Sequence, residues 1–152
     1  MSDEKHCGFV AFIGEPNAGK STLLNHMVGS KISIVTHKVQ TTRSRIRGVS
    51  INGTSQIVFV DTPGLFKPRR RLDRAMVKSA WSEALEADII VFLVEANKGL
   101  TEGVKYNLEK LQGSSTSASS IILAINKIDR VKSQILLKLT EELYEEYQFE
   151  ET

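Results

Sequence analysis

The sequence predicts an α/β domain with a mostly parallel sheet and one antiparallel edge strand. Three observations carry this: five short strand-like runs, longer amphipathic stretches between most of them, and one Asn-Gly pair between two neighbouring runs. The first strand lies near residues 9–13, Phe9-Val10-Ala11-Phe12-Ile13, and leads through a Gly-containing turn into a helical stretch, Thr22-Leu23-Leu24-Asn25-His26-Met27-Val28. Strands near 46–51 and 55–60 flank Asn52-Gly53, a hairpin signal. One edge strand is therefore expected to run antiparallel. A helix from about residue 71 to 87 follows, with Leu72, Met76, Ala80 and Leu85 expected to face inward. The fourth strand, near 88–94, is apolar along Ile89-Ile90-Val91-Phe92-Leu93-Val94, as a strand covered on both faces should be. A Ser-rich stretch over residues 113–120 connects a helix to the fifth strand, near 121–125, and reads as a loop and not as a domain linker. Residues 133–150 read as one terminal helix, with Ile135, Leu136, Leu139, Leu143 and Tyr147 on its apolar side.

Composition narrows the function classes. At 152 residues with 41% hydrophobic content, the chain makes one domain with a sizeable core. The longest apolar run, six residues from Ile89 to Val94, is far too short to cross a bilayer. The start, Met1-Ser2-Asp3-Glu4-Lys5-His6, is acidic where a signal peptide needs a basic region, so a cytoplasmic protein is expected. The single Cys7 excludes an internal disulfide and is expected to pack as a small apolar residue or to lie near the chain's start. His6, His26 and His37 lack metal-ligand spacing. The net charge is +2, unevenly spread. Lys67, Arg69, Arg70, Arg71 and Arg74 cluster, and Arg43, Arg45 and Arg47 alternate along one strand face. Such clusters either meet nucleic-acid phosphates or form a solvated surface, and the second is the commoner use. The acidic run at Glu141, Glu142, Glu145 and Glu146 reads as solvated helix surface.

The chemistry is concentrated in four motifs. Gly14-Glu15-Pro16-Asn17-Ala18-Gly19-Lys20-Ser21, followed by Thr22, fits the phosphate-binding loop pattern between a strand and a helix. Gly14 and Gly19 let backbone N–H groups curl towards phosphate oxygens, and the helix start adds its positive dipole end. Lys20 places a charge on the outer phosphates and the Ser21 hydroxyl is offered to Mg2+. Asp61-Thr62-Pro63-Gly64 follows a buried strand, where Asp61 would reach Mg2+ through water and Gly64 N–H a γ-phosphate. Thr42, with Thr41 in reserve, is the candidate for a second hydroxyl on Mg2+. Asn126-Lys127-Ile128-Asp129 ends the fifth strand, the edge at which ligands bind in open α/β sheets. The Asp129 carboxylate can accept from the N1–H and exocyclic amine of guanine, a pair of donors that adenine lacks. Asn126 would brace the loops and the Lys127 stem would cover the base. Lys20, Thr42 and Gly64 are the residues expected to carry catalysis in a P-loop NTPase of this kind.

Taken together, these motifs resemble a Ras-like, translation-factor-class GTPase domain. With Lys31-Ile32-Ser33-Ile34-Val35-Thr36 and Gln40-Thr41-Thr42-Arg43, they more closely resemble the Era family of bacterial GTPases. Arg71-Leu72-Asp73-Arg74-Ala75-Met76-Val77 and Trp81 are similar to its alphaproteobacterial branch. The resemblance runs from about Gly8 to Asp129. It implies GTP and GDP as ligands, Mg2+ as cofactor, and a slow GTPase that assists assembly of the small (30S) ribosomal subunit on its 16S rRNA. It also admits peripheral contact with the inner membrane. No Gly-x-x-Gly follows the GTPase motifs, so the family's KH-type RNA-binding domain is not expected within residues 1–152. The chain is expected to stop before the Ser-Ala base loop and the last strand and helix of the GTPase domain. Where Ras-like enzymes place a water-orienting Gln, this sequence has Leu65, which has no hydrogen-bonding side chain. Asn17 stands where K+-activated relatives place an Asn. It either binds K+ or stabilises the loop. Without a residue assigned as general base, a nucleotide-binding fragment that does not hydrolyse is the alternative.

Overall fold

The computed structural model describes residues 4–29, 46–60, 62, 65, 67–116, 118 and 120–152. Five strands form one sheet: β1 (His6–Gly14), β2 (Ile46–Asn52), β3 (Ser55–Val60), β4 (Ile89–Glu95) and β5 (Ser120–Asn126). The helices are α1 (Lys20–Gly29), α2 (Arg71–Leu85), α3 (Glu102–Gln112) and α4 (Ser133–Glu146), with a 3-10 turn at Ile128–Arg130. The strand order is β2-β3-β1-β4-β5. β1 pairs parallel with β3 and β4, β4 pairs parallel with β5, and β2 is the antiparallel edge. The hairpin that sets this edge closes at Asn52↔Ser55, so its loop is Gly53-Thr54 and Asn52 is still a strand residue.

Alternation along β1 divides the interior. Val10 and Phe12 point to one face, where they meet Leu24 and Val28 of α1 and Phe59 of β3. Ala11 and Ile13 point to the other, against Val77, Ala80, Trp81 and Ala84 of α2, Val104, Leu108 and Leu111 of α3, and Leu139 and Leu143 of α4. Helices therefore cover both faces of the sheet, as near-continuous apolar strands require.

Two helices turn differently from the sequence expectation. In α2 the buried stripe is Val77, Ala80, Trp81 and Ala84, while Leu72 is 72% and Met76 53% exposed. Large Trp81 sets the helix rotation, and one residue's step of about 100° carries Met76, and Leu72 one turn before it, off the stripe. The helix also ends at Leu85, two residues short of the expected Ala87. In α4 Leu139 and Leu143 are buried, but Ile135 is 53% exposed.

The last helix ends at Glu146 and not at Glu150, because Tyr147 turns extended, at φ −152° and ψ 139°. That turn brings Phe149 back into the core, with ring centroids 6.0 Å from Phe92, 5.7 Å from Tyr144 and 5.0 Å from Tyr147. Beyond it, Glu150 N–H donates to Ile121 O at 3.0 Å and Leu123 N–H to Glu151 O at 2.8 Å. Residues 150 and 151 thus occupy the strand position outside β5, in parallel sense, where the sequence reading had placed no strand. Cys7 is exposed at the start of β1 and does not pack inward. Among the described residues no helix is long and apolar enough to cross a membrane.

The two stripes give a direct contrast in denaturant unfolding. Leu143→Ala, at a fully buried site, is expected to lose about 2–5 kcal/mol. Leu72→Ala is expected to stay within about 0.5 kcal/mol of the parent.

Candidate nucleotide-binding site

The loop after β1 takes its shape from two positive-φ residues, Asn17 at 65° and Gly19 at 102°. At Gly19 a side chain is excluded twice over. The backbone angle strains any L residue, and a Cβ would fall 2.2 Å from Asn126 Nδ2. Lys20, buried at the first residue of α1, donates through Nζ to Gly14 O and Glu15 O, both at 3.0 Å. Its ammonium is thus held inside the curl of the loop. Ser21 and Thr22 are exposed in the first turn of α1 and Ala18 is buried beneath the loop. Pro16 and Asn17 are exposed at its crest.

The guanine-side motif reaches back to this loop. Asn126 Nδ2 donates to Ala18 O at 3.0 Å, and Lys127 Nζ donates to Asn17 O at 2.9 Å. Lys127 holds a left-handed conformation, φ 57° and ψ 38°, which turns the chain sharply into the 3-10 turn that carries Asp129. Asp129 is exposed there. Two separate stretches of sequence, 108 residues apart between Ala18 and Asn126, therefore meet at the carboxyl end of the parallel strands, the usual ligand edge of such sheets.

Of the third motif, Thr62 and Leu65 are described; Asp61, Pro63 and Gly64 lie outside the described residues, as do Thr41, Thr42, Arg43, Arg45 and His37. The Thr62 hydroxyl donates to Phe12 O and is buried, so that side chain serves the sheet and is not presented to a ligand. Leu65 is fully buried. Its N–H donates to Gly14 O at 2.8 Å, and its carbonyl accepts from Asn107 Nδ2 of α3 at 3.2 Å. The residue at the water-orienting position is thus docked into the core.

The sequence of the 50S ribosome-binding GTPase family matches residues 9–127. The chain belongs to that family. Within this GTPase family it is 66% identical over 145 residues to GTPase Era of Dinoroseobacter shibae, covering 95% of this chain and 47% of that protein. A crystal structure of Era in complex with MgGDPNP and nucleotides 1506–1542 of 16S ribosomal RNA is 36% identical, with a TM-score of 0.71, and covers 95% of this chain and 48% of that one. Aquifex aeolicus Era, as a variant bound to GDP·AlF4−, is also 36% identical, with a TM-score of 0.72 and coverage of 96% and 50%. The GTPase-family chain described here therefore spans about half the length of the curated relatives it matches.

Three residues of this GTPase site were not singled out from the sequence. Thr101 caps α3 by accepting from Val104 N–H at 3.1 Å, and its hydroxyl donates to Glu15 Oε2 at 2.8 Å. Asn107, with no exposed surface, anchors Leu65. Glu95, the last residue of β4, is 6% exposed and pairs with Lys127 Nζ at 3.0 Å and Lys98 Nζ at 3.2 Å. Of the three, only Glu95 carried a legible signal, as an acid ending a six-residue apolar run. The basic cluster beyond the third motif shares a cleft of about 720 Å3 with carboxylates: Lys67, Arg69 and Arg70 face Glu15, Asp73 and Glu102. That face is of mixed charge, which favours the solvated-surface reading over a uniformly basic track.

Burial works against the Glu95 charge, but the ammonium groups of Lys127 and Lys98 outweigh it and hold the carboxyl below the ordinary glutamate value of 4.5. A carboxyl with a lowered folded-state pKa contributes stability that is fully present above 4.5 and is lost as pH falls through the lowered value. The gap in urea midpoint between the parent and Glu95→Gln should therefore be widest at neutral pH and shrink steadily below 4.5. Asn107→Ala strips the buried Leu65 carbonyl of its donor and is expected to cost about 1–3 kcal/mol in the same assay at neutral pH.

Proposed function

We propose that this chain is the GTPase unit of an Era-type protein, a switch that binds GTP and hydrolyses it to GDP. The observation that carries the reading is the contact of the Asn126-Lys127 turn with the Ala18 and Asn17 carbonyls, which joins a guanine-reading segment to a phosphate loop. In this reading the N–H groups of residues 14–20 and the Lys20 ammonium hold the phosphates, and Asp129 accepts the two guanine donors.

The loop fits a magnesium-bound nucleoside triphosphate. Its positive-φ curl at Asn17 and Gly19 bends the backbone around the Lys20 ammonium, and Ser21 is exposed one residue beyond Lys20. Ser21, Thr42 and Asp61 would hold Mg2+, which neutralises charge on the phosphate oxygens when bound. Among the described residues no cluster of three acids, histidines or cysteines offers a competing metal site. K+ beside Asn17 belongs to the same reading and would supply positive charge near the transferred phosphate. Support comes from the relatives: one Era structure holds MgGDPNP and 16S rRNA, another GDP·AlF4−. The full-length protein, in this reading, acts in the cytoplasm on 16S rRNA and the 30S subunit, with peripheral contact at the inner membrane.

A buried Leu65 favours one competing outcome, a fragment that binds but does not cleave. Single-turnover hydrolysis of GTP, with ATP as the control and K+ compared with Na+, separates them. GTP-selective cleavage that is faster in K+ is the expected result. Tight GTP binding without cleavage would leave a binding unit whose chemistry needs another part of the protein. Equal binding of ATP would overturn the guanine assignment.

A further inference from the structure

The phosphate loop and the guanine motif account for Asn126, Lys127 and Asp129, but not for the buried acid beside them. Glu95 lies opposite Asn126 in the parallel register of β4 and β5, one residue before Lys127. Its backbone is fixed on all sides: Ala96 N–H donates to Asn126 O at 2.9 Å, and Lys98 and Gly99 N–H both donate to Glu95 O at 3.1 Å. Its side chain is 6% exposed, and a buried carboxylate persists only when its charge is matched. Oε1 is matched by Lys127 Nζ at 3.0 Å, and Oε2 by Lys98 Nζ at 3.2 Å. The two partners are unequal. Lys98 is 49% exposed and local to the turn, whereas Lys127 is 25% exposed and its ammonium also reaches Asn17 O at 2.9 Å.

The Lys127 ammonium is therefore clamped between an acid of β4 and a carbonyl of the phosphate loop. A lysine carries four rotatable carbons, and without such a clamp its stem samples many rotamers. With the head group fixed, the methylene stem has one path, from the left-handed backbone at residue 127 across to Asn17.

We propose that Glu95 is a positioning residue for the guanine site, holding Lys127 so that its stem is already laid out as one wall of the base pocket when nucleotide arrives. The inference rests on the guanine reading above. Preorganisation of this kind lowers the ordering cost of binding and slows release.

The test uses the whole chain, with mant-GDP and mant-IDP as fluorescent probes. Glu95→Gln is expected to speed mant-GDP release by about tenfold, the scale of one lost charge-assisted contact. Lys127→Met keeps a stem but removes the ammonium, and should show a similar loss. Combining the two should add nothing further, because both break one clamp. Lys98→Met should leave release unchanged, and Glu95→Asp should recover part of the loss. GDP and IDP should suffer equally, since a stem against the ring face does not read the 2-amino group. A collapse of the GDP-to-IDP ratio would mean that Glu95 merely keeps the Asp129 turn folded, and would overturn the positioning role. Losses from Glu95→Gln and Lys127→Met that simply add would overturn it too, as would a Glu95→Gln chain that releases mant-GDP at the parental rate. A parent chain that binds no mant-GDP would bring down the guanine reading and this inference together.

Discussion

The parallel register at one end of the sheet is the constraint on which the rest of the site depends. It sets Gly14 of β1 beside Leu93 of β4 and Glu95 of β4 beside Asn126 of β5, so that the phosphate loop and the guanine-side turn leave the same end of the sheet on either side of β4. The contact at Gly14 is close enough that a Cβ there would sit 2.7 Å from Leu93 O. A one-residue slip of β4 would move every side chain to the opposite face. Glu95 would then leave Lys127, and the pairing of Ala11, Ile13, Ile90 and Phe92 in one core would be lost.

From that register the loop is tied down by donors from its own helix start and from distant elements. Asn126 and Lys127 hold its crest, Lys20 fills its interior, and Leu65 N–H secures Gly14 from below. Each tie uses a loop carbonyl as acceptor. A phosphate would use the other side of these peptides, their N–H groups, while the Lys20 ammonium serves both the bracing and, in the proposed reading, the ligand. Such a division lets a site be rigid before its ligand arrives.

The strands and the motifs were legible because each depends on short-range pattern. An apolar run bounded by turn residues is a buried strand whatever surrounds it, and Gly14-to-Ser21 fixes its own backbone. The faces of α2 and α4 were less legible. Leu72 and Met76 satisfy a helical spacing as well as Val77 and Trp81 do, and only the packing of Trp81 against the sheet decides between the two stripes. The end of α4 was misjudged because the Phe149 cluster is a tertiary fact: Phe92 lies 57 positions away in the chain, and nothing local announces that the backbone will turn back. Thr101 and Asn107 fall in the same class, and so does the pairing of Glu95, of which only the position was legible. Their roles come from partners at Lys127, Glu15 and Leu65, contacts that no window of sequence contains.

The tie between Thr101 and Glu15 carries a consequence for how this sequence can drift. Glu15 lies along the first turn of α3 so tightly that a methyl at Gly103 would fall 1.9 Å from its Oε1 and 2.8 Å from its Cδ. A larger residue at 103 would push against the Glu15 carboxylate that holds the Thr101 hydroxyl, on a loop residue whose carbonyl accepts from Lys20. Positions 15 and 103, far apart in the chain, are therefore a compensating pair. A shorter residue at 15 would open room for Ala at 103, and descendants of this sequence should exchange the two together more readily than either one first.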